Sequence, residues 1–195
     1  MNPEALKASL EAVLMASGKA MSLDALFKLY AGQDLAKADV HAALQALQED
    51  CLNRGIELKQ VASGYRFQVK QAYVSIVSGL WEEKPKKYSR ALLETLALVA
   101  YRQPVTRGEI EKVRGVSVSS YIIKTLLDRE WVQVIGHKEV PGRPALYATT
   151  KNFLDYFNLT TLDELPSLKE LQDIDAIHPV LDLEPSEPDA DQTTH

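Results

Sequence analysis

Ala100-Tyr-Arg-Gln-Pro-Val-Thr-Arg-Gly-Glu-Ile-Glu111 decides how this chain is read. Pro104 removes a backbone donor and clashes with the preceding turn, so the apolar helix that starts at Ser89 has to end near Arg102. Thr106 and Glu109 follow at the spacing of a capping box, in which a hydroxyl and a carboxylate satisfy the free N–H groups of a helix start. The new helix is expected from Arg107 to Arg114, with Ile110 and Val113 buried and Gly115 as its stop. A third helix is expected from Ser117 to Arg129. It turns Val118, Ile122, Leu126 and Leu127 inward and leaves Ser120, Tyr121, Lys124 and Asp128 near the outside. Trp131 to Ile135 and Ala145 to Thr149 then read as the strands of a hairpin. In Lys138-Glu-Val-Pro-Gly-Arg-Pro-Ala-Leu-Tyr147 the Pro141-Gly142 pair suits a type II turn at its tip. Three helices followed by a hairpin describe a winged helix.

The upstream half has the same order of elements. Asn2 caps a helix from Pro3 to about Ser17 with Leu6, Leu10, Val13 and Leu14 on one face. Ser22 caps a short second helix carrying Leu23, Leu26, Phe27 and Tyr30, and a third helix is expected from about Ala36 to Asn53. Ile56 to Ala62 and Tyr65 to Val69 form a hairpin around Ser63-Gly64, and a closing helix covers Gln71 to Leu80. Residues 18–29 lie over residues 102–113 at an offset of 84, which sets Ser22 on Thr106 as a cap and Met21, Leu26 and Leu29 on Val105, Ile110 and Val113. The expected fold is therefore mainly α with small β hairpins, as two tandem winged-helix domains. The first spans residues 1–80 and the charged, proline-interrupted stretch at 81–88 is a linker. The second spans residues 89–165, and residues 166–195 form an acidic tail expected to be disordered.

At 195 residues with 46% apolar content the chain is large enough for two small cores. No apolar run reaches bilayer-spanning length and the N-terminus has no signal-like segment, so a cytoplasmic protein is expected. The lone Cys51 excludes an internal disulfide and reads as a buried thiol beside Leu44 and Leu47. Net charge is −5 but unevenly spread. From Lys84 to Lys151 there are 13 basic against 6 acidic residues, a balance of +7, whereas from Pro166 to the end 8 acidic residues face Lys169 alone, a balance of −7. An acidic tail of that charge is expected to screen the basic second domain from polyanions.

Chemistry is not indicated. Neither G-x-x-x-x-G-K-S/T nor G-x-G-x-x-G occurs, no G-x-S-x-G elbow surrounds a serine, and His41, His137, His178 and His195 are scattered. Asp173-Ile-Asp-Ala-Ile-His178 is the nearest approach to a ligand set and reads as solvated acidic tail. No catalytic, cofactor-binding or metal residues are assigned, and no cofactor is expected.

Two surfaces are candidates for contact. In the second domain Arg107, Tyr121 and Lys124, with Lys138 and Arg143 on the wing, could meet a partner or phosphates, or form only a solvated basic face. The base-reading face is poor because no Arg or Asn stands at the start of the third helix. In the first domain Phe27, Tyr30, Tyr73, Ile76 and Leu80 supply more apolar surface than a unit of this size needs, and are candidates for a dimer face. A winged-helix DNA-binding transcriptional regulator is the alternative reading of the same residues.

Ala91-Leu-Leu-Glu-Thr-Leu-Ala-Leu-Val-Ala-Tyr-Arg-Gln-Pro-Val-Thr-Arg-Gly-Glu-Ile-Glu111 resembles the signature of the bacterial segregation and condensation protein B (ScpB) family. So do Val113-Arg-Gly-Val116, Gly136-His-Lys-Glu-Val-Pro-Gly-Arg-Pro-Ala-Leu-Tyr-Ala-Thr-Thr150, and Phe153-Leu-Asp-Tyr-Phe157 ahead of Leu162-Asp-Glu-Leu-Pro166. The resemblance implies a non-enzymatic subunit of the SMC condensin-like complex that acts in chromosome condensation and segregation during cell division. It implies a homodimer joined through the first domain, the kleisin ScpA as partner, SMC reached through ScpA, and a location in the cytoplasm at the nucleoid. DNA contact would be weak and non-specific, with no membrane partner. The tail beyond Leu171 has no counterpart in that pattern.

Overall fold

The computed structural model describes residues 1–80 and 88–167. The linker at 81–87 and the tail from residue 168, with its Asp173 to His178 segment and its proposed screening role, lie outside the described residues. The described chain is helix-rich with small antiparallel sheets. It divides into two units, one holding residues 1–80 and 151–164, the other residues 88–150 and 165–167.

In the first unit α1 (Pro3–Ser17), α2 (Leu23–Lys28) and α3 (Lys37–Asp50) precede a hairpin of β1 (Ile56–Val61) and β2 (Gly64–Val69). Asn2 accepts a bond from the Glu4 N–H and Ser22 from the Ala25 N–H, so both helices start where the caps require. Leu6, Leu10 and Leu14 form a single stripe on α1 and pack with Leu26, Val40, Leu44, Leu47 and Leu58. Cys51 is buried, as its spacing implies.

The hairpin turn falls on Ala62-Ser63, one residue earlier than expected, because Gly64 pairs with Val61. Gly64 is held there by a close approach. Met21 and Tyr65 form an antiparallel bridge, and a Cβ on Gly64, at φ +133°, would lie 2.0 Å from the Met21 carbonyl oxygen. The expected closing helix is three short pieces, a 3-10 turn Gln71–Tyr73, α4 (Val74–Val77) and a second 3-10 turn Ser78–Leu80.

The second unit repeats the plan. α5 (Arg90–Arg102), β3 (Val105–Thr106), α6 (Arg107–Arg114) and α7 (Ser120–Asp128) lead to β4 (Val132–His137) and β5 (Ala145–Thr149), with sheet order β3-β5-β4. Val105 pairs with Tyr147 as Met21 does with Tyr65. Leu92, Leu96, Val99, Ile110, Val118 and Leu126 form the buried interior, and Trp131, just ahead of β4, is buried as well. α7 starts three residues later than expected. Val118 is fully buried and its N–H binds the Glu111 carboxylate at 2.9 Å, and the cap role passes to Ser119, which accepts from the Tyr121 N–H. Ile123 rather than Leu127 joins Ile122 and Leu126 inside.

α8 (Lys151–Tyr156) and a 3-10 turn Leu162–Glu164 stand where the sequence predicts the end of the second domain, yet they group with the first unit. The reason is a set of bonds to the β1–β2 turn. Asp155 accepts from the Ser63 N–H at 2.9 Å, Leu159 accepts from the Ala62 N–H at 2.9 Å, and Arg66 donates to Asn158 and to the Asp155 carbonyl at 2.8 Å.

Candidate functional site

The wing of the second unit is set by its turn. The Val140 carbonyl accepts from the Arg143 N–H at 2.9 Å across Pro141-Gly142, and Gly142 takes φ +85°, as a type II turn requires. This holds Arg143 exposed at the tip, where it pairs at 3.0 Å with Glu139, itself exposed. Lys138, at the base of the tip, reaches back to Glu109 at 2.5 Å.

Glu109 is therefore shared. Its carboxylate accepts from the Thr106 N–H at 2.8 Å and from the Thr106 hydroxyl at 2.9 Å while it faces Lys138. These contacts, the Lys138 ammonium foremost, lower its pKa from an ordinary 4.5 to about 2. Glu111 does similar work further along α6. It binds the Val118 N–H and Arg107, which hold its pKa below the usual range, and Arg107 also donates to the Ser120 hydroxyl at 3.1 Å. The spacing of Thr106 and Glu109 announces the cap. No local signal announces Lys138, which is 29 residues away, or the hold of Glu111 on Val118.

Of the five candidate contacts in this unit, three cations thus already face carboxylates: Arg107, Lys138 and Arg143. Lys124 is exposed without an ion pair among the described residues, and Tyr121, one turn before it on α7, is 74% exposed. Exposed aliphatic side chains surround them in the sequence: Val113, Val116, Ile135 and Val140. Cations already paired with carboxylates offer less to a phosphate backbone, whose binding needs free positive charge.

The five first-unit candidates separate. Tyr73, Ile76 and Leu80 are exposed along the Gln71–Leu80 segment, Ile76 and Leu80 at 74% and 78%, and Tyr73 lies over Gly55. Phe27 is only partly buried and packs against the core. Tyr30 is inside. It is 6% exposed and its hydroxyl donates to Ser9 of α1 at 3.0 Å, so it belongs to the core rather than to a dimer face. Leu52 and Met15, which helical spacing does not single out, are exposed apolar residues of the same unit.

Among the described residues no group of three His, Cys, Asp or Glu side chains is placed to hold a metal ion, and no helix is long and apolar enough to cross a membrane.

Comparison with known proteins gives one answer. The family model for the segregation and condensation complex subunit ScpB matches residues 8–168. A segregation and condensation protein B homolog from Coxiella burnetii is 52% identical over 172 residues, which is 88% of this chain and 82% of that protein. A crystal structure of ScpB from Mycobacterium tuberculosis is 34% identical over 82% of this chain and 99% of that chain, with a TM-score of 0.38. A structure of a dimer of an ScpB N-terminal domain complexed with an ScpA peptide is 23% identical over 40% of this chain and 96% of that chain, with a TM-score of 0.37.

Proposed function

Because the chain belongs to the segregation and condensation protein B family, we propose that it is a non-catalytic subunit of an SMC condensin-like complex that binds the kleisin ScpA and serves chromosome condensation and segregation. The observation that carries this reading is the family match over residues 8–168, which runs through both units. Each unit is read as a winged helix. The support is the order of helix, short strand or bridge, two helices and an antiparallel hairpin, met twice in one chain. Residues 1–80 are the dimerising domain in this reading, supported by the exposed Tyr73, Ile76 and Leu80. ATP hydrolysis falls to SMC, reached through ScpA, and the protein works in the cytoplasm at the nucleoid.

The second unit offers the kleisin the apolar side chains around Tyr121 and Lys124, with Arg143 at the wing tip. DNA contact is weak and sequence-blind on this account, because Glu109, Glu111 and Glu139 already compensate three of the cations. Depletion of the protein from its own cells tests the role. Chromosome-free cells at division, rescued by the intact chain, support it. Normal partition without the protein contradicts it.

A further inference from the structure

Lys70 stands where α3, the β1–β2 hairpin and the Gln71–Leu80 segment meet. α3 ends at Asp50 with no basic residue in its last turn, so the carbonyls at its C-terminus, which carry the negative end of the helix dipole, need donors from elsewhere. Lys70, the residue after β2, supplies them. Its ammonium donates to the Cys51 carbonyl at 2.7 Å and to the Leu52 carbonyl at 2.7 Å. Two charge-assisted bonds fix a side chain that is otherwise among the most flexible.

The backbone of Lys70 is engaged on both sides. Its N–H donates to the Gly55 carbonyl at 3.0 Å, next to the Ile56–Val69 pair that closes the open end of the hairpin. Its carbonyl accepts from the Tyr73 N–H at 2.9 Å and so starts the 3-10 turn that leads into α4. The Tyr73 ring lies over Gly55, 3.7 Å from where a Cβ would stand. Further along, the hydrogen bonds of the described residues run within the segment, from the Val74 N–H to Gln71 and from the Ser78 hydroxyl to Ser75. The direction in which exposed Ile76 and Leu80 are held is therefore set at Lys70 and Tyr73.

We propose that Lys70 is the positioning residue of the dimer face, an inference that rests on the reading of residues 1–80 as the dimerising domain. Its ammonium clamps the start of the Gln71–Leu80 segment to the end of α3, so that Tyr73, Ile76 and Leu80 meet a second copy in one fixed orientation. The clamp needs the donors and the charge of the side chain. A side chain of similar length without them leaves the Leu52 carbonyl without this bond and the segment free to turn about residue 70.

The test compares the full chain with its Lys70→Met and Lys70→Arg variants. Amide order parameters of residues 73–78 are expected near the rigid value of about 0.85 in the wild type and below about 0.6 in Lys70→Met, with α1 unchanged. Sedimentation equilibrium is expected to show dimer dissociation weakened by Lys70→Met on the order of tenfold, the scale of a lost hydrogen bond to a charged group. Lys70→Arg, which keeps the charge and offers a fork of donors to the two carbonyls, is expected to restore both readings. A Lys70→Met chain whose segment stays rigid overturns the proposal, as does one whose segment loosens while dimerisation is unchanged. Failure of the dimer reading shows separately, as a wild type that sediments as a monomer, and the order parameters then still decide whether Lys70 holds the segment.

Discussion

Met21 and Tyr65 exchange two backbone hydrogen bonds of 2.9 Å each, and this one bridge ties the residue ahead of the α2 cap to the far strand of the first hairpin. Val105 and Tyr147 are antiparallel partners at the corresponding place in the second unit. Gly64 permits the first bridge. Gly64→Ala brings a Cβ to 2.0 Å from the Met21 carbonyl at a φ that L-residues avoid, so a loss on the order of 3 kcal/mol is expected. Gly18→Ala is the control. Gly18 also has positive φ but nothing within 4 Å of its Cβ, and about 1 kcal/mol is expected. Urea denaturation of the two variants measures the difference.

The repeat makes Leu26 and Ile110 equivalent, and both are 0% exposed. Leu26→Ala and Ile110→Ala are each expected to cost about 2–5 kcal/mol, since each leaves a cavity in a closed core. Hydrogen exchange resolves where the loss falls. Leu26→Ala accelerates exchange in α1 and α3, and Ile110→Ala does so in α5 and α7.

Much of the fold is legible in the amino-acid sequence for a local reason. Pro104, the Thr106–Glu109 cap, the caps Ser22 and Asn2 and the Pro141-Gly142 turn act within four residues of themselves, so spacing alone exposes them. What spacing does not expose is non-local. Tyr30 looks like surplus apolar surface until Ser9, 21 residues earlier, receives its hydroxyl. α8 looks like the end of the second domain until Arg66 and Ser63, about 90 residues away, take hold of Asp155. Among the candidate contacts, composition identifies the basic residues but not the carboxylates that face them.

Acid should weaken the second unit through Glu109. Its pKa is about 2 in the folded chain against an ordinary 4.5, so its stabilising contribution is complete above 4.5 and is lost as pH falls toward 2. Glu109→Gln is expected to be less stable than the wild type at pH 7 by up to about 1 kcal/mol, the scale of an exposed ion pair. The two proteins converge as pH approaches 2. Equal stability at pH 7, or a gap that persists at pH 2, contradicts the assignment.

Ile76→Asp combined with Leu80→Asp tests the dimer face. Both side chains are exposed, so the fold is expected to keep its stability within about 0.5 kcal/mol. Sedimentation velocity is expected to report a dimer for the wild type, as the proposed function requires, and a monomer for the double variant. A double variant that still sediments as a dimer places the interface elsewhere.

Binding to the kleisin is the claim on which the functional account stands, and calorimetric titration of the purified full chain with ScpA tests it most directly. The account predicts saturable heat and a complex that survives gel filtration, with binding weakened at least tenfold by Tyr121→Ala together with Lys124→Glu while the chain stays folded. A folded sample that yields no heat and no co-eluting complex with ScpA contradicts it.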